Sequence, residues 1–96
     1  MKISEATSEP ALLEGLAEEC TELAQAALKL ARKYRGENPT PKPLGECVHT
    51  LIEEVADVLA YVDKIDVIDM RKVELIKAAK NKRWKLRLTE ECKKDG

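Results

Sequence analysis

The 96 residues carry 17 basic and 18 acidic side chains for a net charge of −1, and 44% of them are hydrophobic, yet there is one Trp, two Tyr and no Phe. A chain of this size is expected to make one small domain, residues 1–96. Its core must come from Leu, Ile, Val and Ala, and it is marginal unless long helix contacts or a second subunit extend it. No run approaches membrane-spanning length, Met1-Lys2-Ile3-Ser4-Glu5 has no apolar leader character, and three cysteines without C-x-x-C spacing indicate neither a disulfide framework nor a zinc site. The expected location is cytoplasmic, with no membrane partner.

Charge is distributed unevenly. Residues 1–70 sum to −7 and residues 71–96 to +6, so an acidic body precedes a basic segment.

Residues 1–7 read as a short lead-in. Ser8 is placed to cap a helix whose first turn tolerates Glu9 and Pro10. Leu12, Leu13, Leu16, Cys20, Leu23, Ala24, Ala27, Leu30 and Ala31 mark one face of that helix through to Tyr34. Arg32, Lys33 and Arg35 suit its C-terminus, and Gly36 supplies the stop. Pro39, Pro41 and Pro43 then predict a stiff loop over Gly36–Pro43. A second helix starts near Pro43 or Leu44, weakened but not forbidden by Gly45, and runs through Cys47, Val48, Leu51, Val55, Val58, Leu59, Val62 and Ile65. Cys20 and Cys47 fall on the apolar faces and read as small core residues, while His49 falls on the polar side and reads as solvated. The chain turns near residues 66–69, and Asp69 is placed to cap a third helix. There Lys80, Arg83 and Arg87 form a basic stripe between Leu75, Ala79 and Leu86 on one side and Val73 and Trp84 on the other. Such a stripe either snorkels along apolar surface or holds phosphate. The predicted fold is all-α: a helical bundle of three main helices per chain, completed by oligomerisation because the apolar sectors exceed what one subunit can cover.

Two of these helices repeat one design. Leu16–Leu30 aligns with Leu51–Ile65, pairing Leu16 with Leu51, Glu18 with Glu53, Glu19 with Glu54, Glu22 with Asp57 and Lys29 with Lys64. At about 100° per residue, Glu19 and Glu22 lie on one shoulder of the first apolar stripe, and Glu54 and Asp57 take the same angles on the second. Antiparallel packing through those stripes would bring four carboxylates together. Such a cluster is tolerable only with protons, basic side chains or divalent cations among the acids. An all-oxygen set suits Mg²⁺, with Mn²⁺ also possible. Equally, Glu is a good helix former that populates solvated faces without any ligand.

The chain resembles the MazG-like all-α nucleoside triphosphate pyrophosphohydrolases over nearly its whole length. The shared pieces are Glu19-Cys-Thr-Glu22 with Glu18 in front, Glu54-Val-Ala-Asp57, Arg35-Gly-Glu-Asn-Pro39, and Lys80-Asn-Lys-Arg83-Trp-Lys-Leu-Arg87-Leu88. The resemblance implies a dimer or tetramer that splits a nucleotide between its α and β phosphates. It makes Glu19, Glu22, Glu54 and Asp57 the Mg²⁺ ligands and Glu19 or Glu22 the general base. Lys77, Lys80, Asn81, Arg83, Tyr61 and Trp84 become the candidate substrate contacts. Two other readings remain: a helical oligomer without catalysis that binds nucleotides or a protein through its third helix, and nucleic-acid binding by residues 71–94. The acidic body opposes the last.

Overall fold

In the computed structural model, which describes residues 2–37 and 41–95 and only the backbone at 94 and 95, all regular structure is helical. The helices are α1 (Ile3–Ala6), α2 (Glu9–Arg35), α3 (Leu44–Lys64) and α4 (Met70–Asp95). The chain divides into two compact units, Met1–Asp66 and Val67–Gly96. Among the described residues no helix is long and apolar enough to cross a membrane.

In the first unit, the lead-in forms a helical turn of its own. Glu5 and Ala6 N–H donate to the Lys2 carbonyl, and Thr7 Oγ1 donates to the Ile3 carbonyl at 2.9 Å. Ser8 then caps α2 as expected, accepting from Ala11 N–H at 3.4 Å, with Pro10 in the first turn where its missing N–H costs nothing. Gly36 ends α2 at φ +70°, a left-handed conformation that penalises any Cβ. Its N–H donates to the Lys33 carbonyl, and Glu37 N–H donates to the Arg32 carbonyl, so two otherwise orphaned carbonyls are satisfied. Asn38 and Pro39, with Thr40, lie outside the described residues. Beyond them, Pro43 is in extended conformation at the start of α3.

Helices α2 and α3 pack antiparallel. Gly15 meets the Tyr61 ring, Glu22 lies beside Glu54, and Asp66 N–H donates to Glu9 Oε1 at 3.2 Å, so one number falls as its partner rises. A seam of shielded positions runs through Leu12, Leu16, Glu19, Leu23, Ala26 and Leu30 on α2 and through Cys47, Leu51, Glu54, Val58, Tyr61 and Ile65 on the other side, with Gly15, Val48 and Val62 half-buried beside it. Both seam sets advance by alternating steps of four and three, the repeat of coiled-coil packing. Ile65, 2% exposed, closes one end.

This seam corrects the expected α2 face. Its centre lies about 50° from the middle of the apolar stripe, on the side of the acids. Leu13, Cys20, Ala24 and Ala27 are consequently exposed, and Ala26, which the apolar periodicity passed over, is buried. Cys20 is therefore not a core residue here, whereas Cys47 is, at 5% exposure. On α3 the same rotation leaves Val55, Leu59 and Ile52 exposed.

In the second unit, Asp69 caps α4 as expected, its Oδ1 accepting from Arg71 N–H at 3.0 Å and Lys72 N–H at 3.3 Å. Every α4 side chain described is exposed, and α4 is the least amphipathic of the three long helices.

Two glycines provide opposite tests. A Cβ on Gly15 would lie 2.6 Å from Tyr61 Cζ, inside van der Waals contact, whereas one on Gly45 meets nothing within 4 Å. Thermal melting should show Gly15→Ala destabilised by about 1–3 kcal/mol through overpacking. Gly45→Ala should be neutral or stabilised by up to about 1 kcal/mol, because alanine loses less backbone entropy in a helix.

Candidate metal and phosphate site

The seam carries two acids. Glu19 and Glu54 occupy contact positions between α2 and α3, and Glu22 reaches them from the exposed flank of α2. One carboxylate oxygen from each of the three lies within 4.8 Å of the other two. Asp57 is exposed and falls outside this triad, but its charge acts on both seam acids. The expected convergence of four acids thus takes the form of three in mutual reach with a fourth alongside.

Glu19 Oε2 and Glu54 Oε2 are shielded from water, and no donor reaches either; Glu9 Oε2, away from the triad, is in the same state. Shielded carboxylate oxygens without a donor carry a desolvation cost that a proton or a cation relieves. Burial pushes the Glu19 carboxyl above the usual range, and Glu22, Asp57 and Glu54 push it the same way. Burial likewise raises Glu54, followed by Glu22 and Asp57. No lysine or arginine is paired with either acid among the described residues. The three carboxylates of Glu19, Glu22 and Glu54 could hold a hard divalent cation. Clustered acids also occur on helix surfaces without one, so the two shielded oxygens, and not the clustering, carry the fit.

Beside the triad opens a cleft of about 780 Å³ along the α2–α3 pair. Glu22 and Glu54 stand at one end, and Ala26 and Cys47 form an apolar floor. Gln25 and Thr50 flank the middle, and Lys29, Arg32 and Lys42 line the end near the loop. The sequence reading treated Arg32 only as a helix-terminal charge and did not single out Lys29 or Lys42 as ligands. Helical period was the available signal, since Lys29 and Arg32 lie two and nearly three turns beyond Glu22 on the same side of α2.

The remaining expected contacts are distributed as follows. Tyr61 sits one turn beyond Asp57, its ring against Gly15 and with Lys64 Nζ 5.2 Å from its centroid. In the second unit, Lys80, Arg83 and Trp84 line a concavity of about 290 Å³ together with Arg87. Lys77 Nζ lies 3.8 Å from Glu74 on the exposed helix surface, and Asn81 is exposed. His49 Nε2 is 2.7 Å from Glu53 Oε1, both side chains being in solvent, where the helical period places His49.

No protein-family model, curated protein or solved structure matches this chain.

The raised carboxyls set the sign of a pH dependence. A group that binds its proton more tightly folded than unfolded favours the fold when protonated, so its contribution to stability falls as pH rises through the folded-state value. With chelator present, the melting temperature should include a component that increases as pH is lowered from neutral toward 4.5, the ordinary value for these acids. Glu54→Gln should flatten that component and raise the melting temperature at neutral pH, and Mg²⁺ should stabilise the natural protein but not the variant. Melting curves at several pH values, with and without Mg²⁺, read all three effects.

Proposed function

We propose that the chain is an Mg²⁺-dependent nucleoside triphosphate pyrophosphohydrolase. The observation that carries this reading is the pair of shielded, donorless carboxylate oxygens of Glu19 and Glu54 on the α2–α3 seam, with Glu54 and Glu22 lining the acidic end of a cleft whose other end is cationic. The sequence resemblance to MazG-like enzymes supplies the reaction class.

Glu19, Glu22 and Glu54, with Asp57 beside them, would hold the cation. Mg²⁺ or Mn²⁺ bound there supplies neutralisation of phosphate charge and makes the attacking water more acidic. Glu19 or Glu22 would take the proton as water attacks the α-phosphorus. The bond from that phosphorus to the oxygen bridging the α and β phosphates breaks, leaving nucleoside monophosphate and pyrophosphate. Glu54→Gln should lower the rate of pyrophosphate release from a panel of nucleoside triphosphates by at least about a hundredfold, with helix content unchanged. Unchanged release would remove the triad from catalysis.

Assembly as a dimer or tetramer belongs to this reading. The seam buries few side chains: Leu12, Ala26, Leu30, Cys47 and Ile65 among the described residues. Meanwhile α2 turns Leu13, Cys20, Ala24 and Ala27 outward, and α3 turns Ile52, Val55 and Leu59 outward. Apolar stripes of this length beside a thin core favour covering by further copies. Sedimentation at micromolar concentration should give a mass above 10.8 kDa by an integer factor, and Val55→Lys with Leu59→Lys should shift it toward the monomer.

One observation favours a second reading, a helical oligomer without catalysis that binds nucleotides or a protein through the basic helix α4. Lys80, Arg83 and Arg87 surround Trp84 in a concavity of their own, a combination of cations and a ring suited to a phosphorylated base.

A further inference from the structure

The loop end of the cleft has an unusual charge composition. Lys29, Arg32 and Lys42 converge there from the last turns of α2 and from the segment entering α3. None of the three is in an ion pair among the described residues. Helix-terminal electrostatics explains why cations gather in the last turn, and Arg35 serves that purpose outside the cleft. It does not explain Lys29, two turns from the end, or Lys42, which lies outside the helix. Lys29 and Lys42 are exposed and Arg32 is half-buried, so water screens their mutual repulsion, and an anion bound among them would relieve what remains.

Spacing narrows the choice of anion. Along α2, Lys29 is about 10 Å and Arg32 about 15 Å beyond Glu22, at 1.5 Å of rise per residue. Flexible side chains of this length shorten the gap by several ångströms, so a ligand bound at the carboxylate end must be elongated to reach the cations. A single orthophosphate is too short for both ends; a chain of phosphates is suited to them. Guanidinium and ammonium groups supply the donors that phosphate oxygens accept.

We propose that Lys29, Arg32 and Lys42 form a phosphate subsite that holds the far end of an oligophosphate chain whose near end lies at Glu19, Glu22 and Glu54. This rests on reading the carboxylates as the reaction centre, and it assigns the polyphosphate tail to the first unit by itself. Lys29, Arg32 and Lys42 are binding residues in this scheme: they hold the substrate in register while the carboxylates act on it.

The test uses the full chain labelled with ¹⁵N and titrated with sodium tripolyphosphate in chelator, followed by amide shifts. The expected result is shift changes concentrated at residues 25–32 and 41–50. They should weaken at least tenfold in apparent affinity in Arg32→Gln/Lys42→Gln and in Lys29→Gln/Lys42→Gln, but not in Lys2→Gln/Lys93→Gln, which removes equal charge elsewhere. For any nucleotide that the natural protein hydrolyses, the cleft variants should raise KM more than they lower kcat. Shift changes confined to residues 80–87, or cleft variants that bind tripolyphosphate as the natural chain does, would overturn the subsite. If tripolyphosphate binds in the cleft but no nucleotide is hydrolysed, the subsite stands and the catalytic reading fails. Hydrolysis with unaltered KM in the cleft variants removes the subsite alone.

Discussion

Two carboxylates placed where a helix pair would ordinarily put apolar side chains are the constraint on which the first unit depends. Glu19 and Glu54 sit in the contact seam of α2 and α3, each with one oxygen out of reach of water and of any donor. The surrounding seam residues supply the hydrophobic contact that holds the pair together, and the acids work against it. Natural proteins accept such local conflict where the site does something with it, and a hard cation is the simplest partner that turns mutual repulsion into binding.

The internal repeat explains how one constraint shapes both helices. Because Glu19–Glu22 and Glu54–Asp57 take the same angles within their helices, a contact made through the acid-bearing shoulder of one is made through that of the other. Rotation toward the acids then exposes matching positions of each apolar stripe, Cys20 and Ala24 on α2 and Val55 and Leu59 on α3. Shielding of the acids and exposure of apolar surface are thus two results of a single helix rotation. Gly15 permits the close approach that this rotation demands one turn from the cluster, where the Tyr61 ring occupies the space that a Cβ would take.

Charge is then sorted along the cleft. Acids stand at one end, Lys29, Arg32 and Lys42 at the other, and an apolar floor of Ala26 and Cys47 lies between. A neutral ligand gains little from such a layout, while one that carries negative charge at both ends, with a cation at one of them, gains from the whole length. In the second unit, α4 presents its own cations around Trp84, and its exposed surface owes nothing to a buried core.

Local signals in the sequence determined the elements. Ser8, Gly36 and Asp69 mark helix ends because capping is decided by a few adjacent residues, and each is found making the hydrogen bonds or the backbone turn its chemistry predicts. The paired acids were legible for a related reason, since helical period fixes which side chains share a shoulder. One-turn α1 has no apolar pattern to announce it: backbone bonds to the Lys2 and Ile3 carbonyls close the turn, and the Thr7 and Ser8 hydroxyls add to them. Only the tertiary structure decided which part of each stripe became the seam. A stripe wider than the contact can be buried at several rotations, and the choice among them rests on close fits such as Gly15 against Tyr61. That choice buried Ala26, released Cys20, shielded Glu19 and Glu54, and gathered Lys29, Arg32 and Lys42 across a loop that no local period can span.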